Sequence, residues 1–179
     1  MLFRSQCHGL DYSSLRLQRI TDKKITPFLI QGDVSLLGIK DNSYDAVICS
    51  EVLEHLTDYK KAILQLIKIS KKYVIITVPN DQKPIPIVCP SCHFHHYISG
   101  HINQFTKSIF IKEIESLPHV KLTHISSFHT IYSYNKSTLR LPRIIRIYLD
   151  KMFTQIEQLI PFLKGNYLII ILEKVSPEP

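Results

Sequence analysis

The stretch that most constrains this chain is residues 41–80, where two short β-branched runs flank one amphipathic segment. Residues 44–50, Tyr-Asp-Ala-Val-Ile-Cys-Ser, follow the turn formers Asp41, Asn42 and Ser43 and predict a strand buried on both faces. Residues 73–78, Tyr-Val-Ile-Ile-Thr-Val, predict a second. Between them Ala62, Ile63, Leu66, Ile67 and Ile69 recur at helical spacing, with Lys60, Lys61, Gln65 and Lys68 on the opposite side. Strand, amphipathic helix and strand make a βαβ unit, whose strands should be parallel and whose crossover should be right-handed. Ligands of open parallel sheets bind at the carboxyl ends of the strands, so a site is sought at residues 50–55 and 79–81.

The phrases Ser-Tyr-Asp-Ala-Val-Ile-Cys-Ser-Glu-Val-Leu-Glu-His-Leu and Lys-Tyr-Val-Ile-Ile-Thr-Val-Pro-Asn resemble the fourth and fifth strands of the class I S-adenosylmethionine-dependent methyltransferases, in the small-molecule, type 11-like branch. The resemblance implies one mixed α/β, Rossmann-like domain over residues 1–179 with helices on both faces of the sheet. It also implies methyl transfer from S-adenosylmethionine to a small or lipid-like acceptor. In that family the second and third strands lie on one side of a central first strand, and the fourth, fifth, seventh and sixth on the other.

Residues 7–14, Cys-His-Gly-Leu-Asp-Tyr-Ser-Ser, are similar to the end of the family's second strand, where an acidic residue accepts from the cofactor's ribose hydroxyls. Asp11 is the candidate; the alternative is that Asp11 and Ser13 only cap the helix that follows. After a short helix at 15–20 and a strand at 28–31, Asp33 and Val34 match the family's adenine-binding position, although a turn Asp after Gly32 explains the same residues. Cys49, Ser50 and Glu51, at the end of the fourth strand, complete the implied cofactor contacts.

One family feature has no counterpart. The glycine-rich loop after the first strand, which holds the methionine end of the cofactor by close backbone approach and a helix terminus, is not found among the five glycines, Gly9, Gly32, Gly38, Gly100 and Gly165. The expectation is therefore a domain that starts at its second strand, without the first β-α unit, and whose activity is in doubt. The second strand should then either pair directly with the fourth or dock loosely beside it.

Near the implied methyl position, His55 is a candidate base because imidazole titrates near neutrality, and His101 is a second. The plainer reading makes Glu51 and Glu54 first-turn acids of a helix and His55 a packed histidine. Residues 81–106 read as a long, proline-rich irregular loop holding Cys89-Pro-Ser-Cys92 followed by His93, His95, His96 and His101. Cys89, Cys92, His96 and His101 have the donor types of a tetrahedral zinc site; otherwise the cysteines are small buried groups or free thiols. Thr106 should cap a helix at 107–116, and 120–128 and 166–174 should be the last two strands, pairing antiparallel.

Residues 136–163 carry an amphipathic pattern between Pro142 and Pro161, with Lys136, Arg140, Arg143, Arg146 and Lys151. A lid over the acceptor site is favoured over a patch that lies on an anionic membrane. The formal charge of +7 suits an acidic partner, and a zinc-stabilised nucleic-acid-binding module is the competing class, alongside a non-catalytic remnant or partner subunit. With 45% hydrophobic residues, no signal-peptide core and no apolar run of about 20 residues, the expected location is the cytoplasm.

Overall fold

The computed structural model describes residues 6–22, 28–117, 119–128 and 165–175. The lid expected at 136–163, with its basic residues, lies outside the described residues.

Among the described residues eight strands and three α-helices follow in order: β1 (His8–Asp11), α1 (Ser14–Asp22), β2 (Phe28–Gln31), β3 (Tyr44–Ser50), α2 (Tyr59–Ile69), β4 (Ser70–Pro79), β5 (Pro86–Val88), β6 (His95–Tyr97), α3 (Lys107–Glu115), β7 (Val120–Phe128) and β8 (Tyr167–Lys174). Among the described residues 3-10 turns follow β3, at Leu53–His55, and β6, at Ile98–Gly100. Among the described residues no helix is long and apolar enough to cross a membrane.

The principal sheet has the order β3-β4-β8-β7, with β3 and β4 parallel and β8 antiparallel to both its neighbours. That is the strand order the family resemblance implies. The reason is visible in the register: Val74, Ile76 and Val78 of β4 stand opposite Leu172, Ile170 and Leu168 of β8, and all six are buried. Against that face α2 lays Ala62, Ile63, Leu66 and Ile69, while α3 adds Phe110 and Ile114 and the loop before it adds Phe105. Both helices start where the side chains say they should: Asp58 accepts from the Lys61 amide at 3.0 Å and Thr106 from the Ile109 amide at 3.3 Å. At the far end Lys174 Nζ donates to the Ile67 and Ser70 carbonyls, both at 3.1 Å, and so satisfies groups that α2 leaves open at its carboxyl end. Gly165 is required by space, since a Cβ there would come within 2.5 Å of the Phe128 amide nitrogen.

β1 and β2 form a separate parallel pair, joined by α1, and no ladder connects β1 to β3. Of the two arrangements expected, direct pairing of these strands is not the one adopted. At their amino ends His8 Nδ1 meets the Tyr44 hydroxyl at 3.0 Å, and above that contact a cavity of about 1010 Å³ separates them. This corrects the reading of residues 44–50 as a strand buried on both faces. β3 is an edge strand facing the cavity, and Ile48 is 69% exposed. The 81–106 segment is also more ordered than a bare loop, because β5 and β6 pair as an antiparallel hairpin within it.

Candidate active site

Asp11, Asp33, Val34, Cys49, Ser50, Glu51 and His55 all border a large cavity between the β1–β2 pair and β3. They reach it from the carboxyl ends of three strands, as expected for an open parallel sheet.

Both aspartates are held by local turns. Asp11 Oδ1 accepts from the Ser13 amide at 2.8 Å, and its Oδ2 lies 3.9 Å from Arg16. Asp33 Oδ1 accepts from the Ser35 amide at 2.7 Å. Each therefore uses one oxygen to shape its own loop and has a second for another donor. The helix α1 is capped by Ser13, whose Oγ accepts from the Arg16 amide, so Asp11 is not needed as the cap.

Beyond β3 the chain turns sharply through Glu51, a non-glycine residue at φ 52. Thr77 of β4 holds this turn: its hydroxyl donates to Glu51 Oε1 at 3.0 Å and lies 2.8 Å from the Ser50 hydroxyl. Burial raises the Glu51 carboxyl above the ordinary range, the Thr77 bond opposing it. Cys49 is buried, and its thiol is pushed up to about 12 by burial and by the neighbouring charges of Glu54 and Glu51. It is a packed thiol and not a nucleophile.

Glu51 and Glu54 are not first-turn acids of the helix. Residues 53–55 form only a 3-10 turn, and α2 starts later, at Tyr59. Glu54 instead points inward, 1% exposed, with neither carboxylate oxygen hydrogen-bonded, and burial raises it to about 7. His55 stands beside it, Nε2 at 3.8 Å from Glu54 Oε1, with its Nδ1 donating to the Gly100 carbonyl at 3.0 Å. Gly100 is at φ +71, a backbone conformation that side chains rarely adopt.

His101 packs edge-on to His55, ring centroids 4.8 Å apart, and its Nδ1 donates to Gln82 Oε1 at 3.1 Å. Burial, then the nearby His55 charge, lowers its titration below the ordinary imidazole range. The segment is pinned to the 53–55 turn by Asn103, whose side-chain amide donates to the Leu53 and Leu56 carbonyls at 3.1 and 2.6 Å, while the Glu54 carbonyl accepts from the Ile102 and Asn103 amides. Thr77, Gln82 and Asn103, single polar residues in apolar or loop surroundings, carry no spacing signal in the sequence.

The two candidate bases thus come together, but the zinc set expected from Cys89, Cys92, His96 and His101 does not. His101 stands beside His55, with Nδ1 on Gln82, and His96 of β6 stacks on Phe94. Cys89 and Cys92 sit in the turn of the β5–β6 hairpin, where bonds from Cys92 and the Ser91 amide lower the Cys89 thiol. Among the described residues the group of three or more ligands at metal spacing is Glu54, His55 and His101. Pro79–Asp81, also expected near the site, serves the scaffold: the Asn80 side chain donates to the Gly165 carbonyl at 2.7 Å, and the Asp81 amide donates to the Phe105 carbonyl at 2.7 Å.

The sequence profile of the methyltransferase domain matches residues 1–76. No curated protein matches the sequence. Among solved structures, a complex between the Haloferax volcanii Trm112 methyltransferase activator and its methyltransferase partner aligns with TM-score 0.63 and 14% identity, over 96% of this chain and 72% of that one. The [4+2]-cyclase SpnF aligns with TM-score 0.60 and 10% identity, over 96% of this chain and 67% of that one. An S-adenosylmethionine-dependent methyltransferase from Mesorhizobium loti aligns with TM-score 0.59 and 12% identity, over 93% and 79%. Residues 1–76 thus resemble the methyltransferase domain in sequence, and over nearly the whole chain the fold is the one seen in solved S-adenosylmethionine-dependent methyltransferases.

Proposed function

We propose that the chain binds the adenosine end of S-adenosylmethionine in the crevice between β1, β2 and β3, and that it serves methyl transfer to a small or lipid-like acceptor. The observation that carries this reading is the convergence of Asp11, Asp33 with Val34, and Cys49–Glu51 on one cavity. Asp11 is suited to the ribose hydroxyls and Asp33 to the adenine amine, since each carboxylate has an oxygen not used by its own turn. When bound, the cofactor supplies an electrophilic methyl group. The chain's part is to position the acceptor and take up a proton where one is released, and Glu51 and His55 border the cavity for that purpose.

The methionine end fits less well. Gly9 and Gly32 are the glycines beside the cavity, and neither has the positive φ of a phosphate- or carboxylate-cradling loop. Binding by this chain alone should therefore be weak. A second reading, that the chain is a non-catalytic or partner subunit completed by another polypeptide, is favoured by the outer edge of β3, which among the described residues pairs with no strand, and by the exposure of Ile48.

Calorimetric titration with S-adenosylhomocysteine tests the first reading. It expects a Kd of about 0.1–1 mM, with a loss of at least tenfold in Asp11→Ala. No binding at several millimolar, or binding unchanged in both Asp11→Ala and Asp33→Ala, overturns it.

A further inference from the structure

Glu54, His55 and His101 each offer one ligand atom, and these atoms all lie within 4.8 Å of one another. Three features of the group call for a ligand. Glu54 is 1% exposed and neither of its oxygens has a hydrogen-bond partner. A buried carboxylate without partners is strongly unfavourable, so packing among the chain's own atoms does not account for it. Each imidazole, moreover, is oriented from its far side: His55 Nδ1 donates to the Gly100 carbonyl and His101 Nδ1 to Gln82 Oε1. That leaves the Nε2 lone pair of each neutral ring unused, which is how metal-binding histidines are held by their outer partners. Finally, Asn103 and the Glu54 carbonyl fasten the two segments together, so the three groups are brought into place by the fold itself.

We propose that Glu54, His55 and His101 bind one divalent transition-metal cation at the rim of the crevice. Two imidazoles and one carboxylate are the donors of zinc and its neighbours, whereas magnesium and calcium prefer all-oxygen sites. Three protein ligands leave at least one coordination position open, and His55 also borders the main cavity. The open position takes an oxygen donor entering from the crevice. On the methyl-transfer reading, on which this clause alone rests, that donor is a hydroxyl-bearing acceptor, whose proton the cation makes easier to remove. His55 and His101 are then ligands, and the released proton passes to the Glu51 carboxylate, which borders the same cavity.

The test uses the whole chain, free of any affinity tag and stripped of metal, titrated with Zn²⁺ by calorimetry and with Co²⁺ by visible absorption. One equivalent should bind with a Kd below about 10 µM, give a cobalt absorption band and raise the melting temperature. Glu54→Gln and His101→Ala should each weaken binding at least tenfold. The metal-free Glu54→Gln protein should melt no lower than the parent, which separates a lost ligand from a lost fold. The Cys89→Ser/Cys92→Ser double variant should bind as the parent does. No binding at 1 mM overturns the proposal, and so does binding that survives Glu54→Gln and disappears in the double cysteine variant. No cofactor is present in this titration, so its failure leaves the S-adenosylhomocysteine result standing, and the reverse holds too.

Discussion

The two halves of this molecule are built differently. In the β3-β4-β8-β7 sheet, long strands interlock in register and are sealed by α2 and α3 into one buried cluster. In the β1–β2 pair the strands are four residues each, Leu10 and Phe28 are 36% and 45% exposed, and the buried apolar residue of α1 is Leu17. On the proposed function, stability and ligand recognition are therefore divided. Asp11 and Asp33 come from the thin half, Glu51, Glu54 and His55 from the thick one, and the candidate site is the seam between them.

The division predicts its largest effect in amide hydrogen exchange. Amides of β4 and β8 should exchange at least about a hundredfold more slowly than those of β1 and β2, because the former open only with the whole sheet. Equal protection in both pairs would break the comparison. Core truncation comes next: Phe110→Ala should cost about 3–5 kcal/mol in urea unfolding, as for other buried aromatics, and Leu10→Ala less than about 1 kcal/mol. A comparable loss at Leu10 would mean that β1 is part of the main core.

Glu54 sharpens the contrast at the seam. Burial lifts its folded-state value to about 7 from an ordinary 4.5, so the folded protein keeps a proton that the unfolded chain has released. In metal-free protein its contribution is fully favourable below pH 4.5, is lost as pH rises toward 7 and is constant above. Lowered titration of His101 works in the opposite sense, adding stability as pH rises through the ordinary imidazole range. The informative quantity is thus the difference between parent and Glu54→Gln, which should favour the variant increasingly from pH 4.5 to 7, by about 1–3 kcal/mol in all. A difference independent of pH would show that Glu54 ionises normally. The smallest effect compares caps: Thr106→Ala should lower global stability by about 1 kcal/mol, while Ser13→Ala, in the thin half, should shift the main unfolding transition by less than about 0.3 kcal/mol.

Much of the thick half was legible from residue pattern. The helical spacing of Ala62, Ile63, Leu66 and Ile69 and the runs in β3 and β4 carry their own periodicity, and Thr106 announces its helix. Whether β3 was covered on both faces could not be read, because an apolar run is the same whether its neighbour is a strand or a cavity. The candidate cofactor residues were found through the ends of strands. The Glu54, His55 and His101 group was only half visible: both histidines stood out, but Glu54 resembled an ordinary helix-start acid, and its inward turn depends on Leu53–His55 being a 3-10 turn closed by Asn103 from 50 residues away. The Cys89-x-x-Cys92 spacing suggested shared ligands with His101, and only the tertiary placement of Gln82 and His55 shows where His101 goes.

The seam itself is tested most directly by a crystal structure of the chain grown with S-adenosylhomocysteine. Ligand density against Asp11 and Asp33, with the remainder running toward Ser50 and Glu51, is the predicted result. Density elsewhere on the molecule, or a crevice between β1 and β3 filled by the chain's own residues, would contradict it.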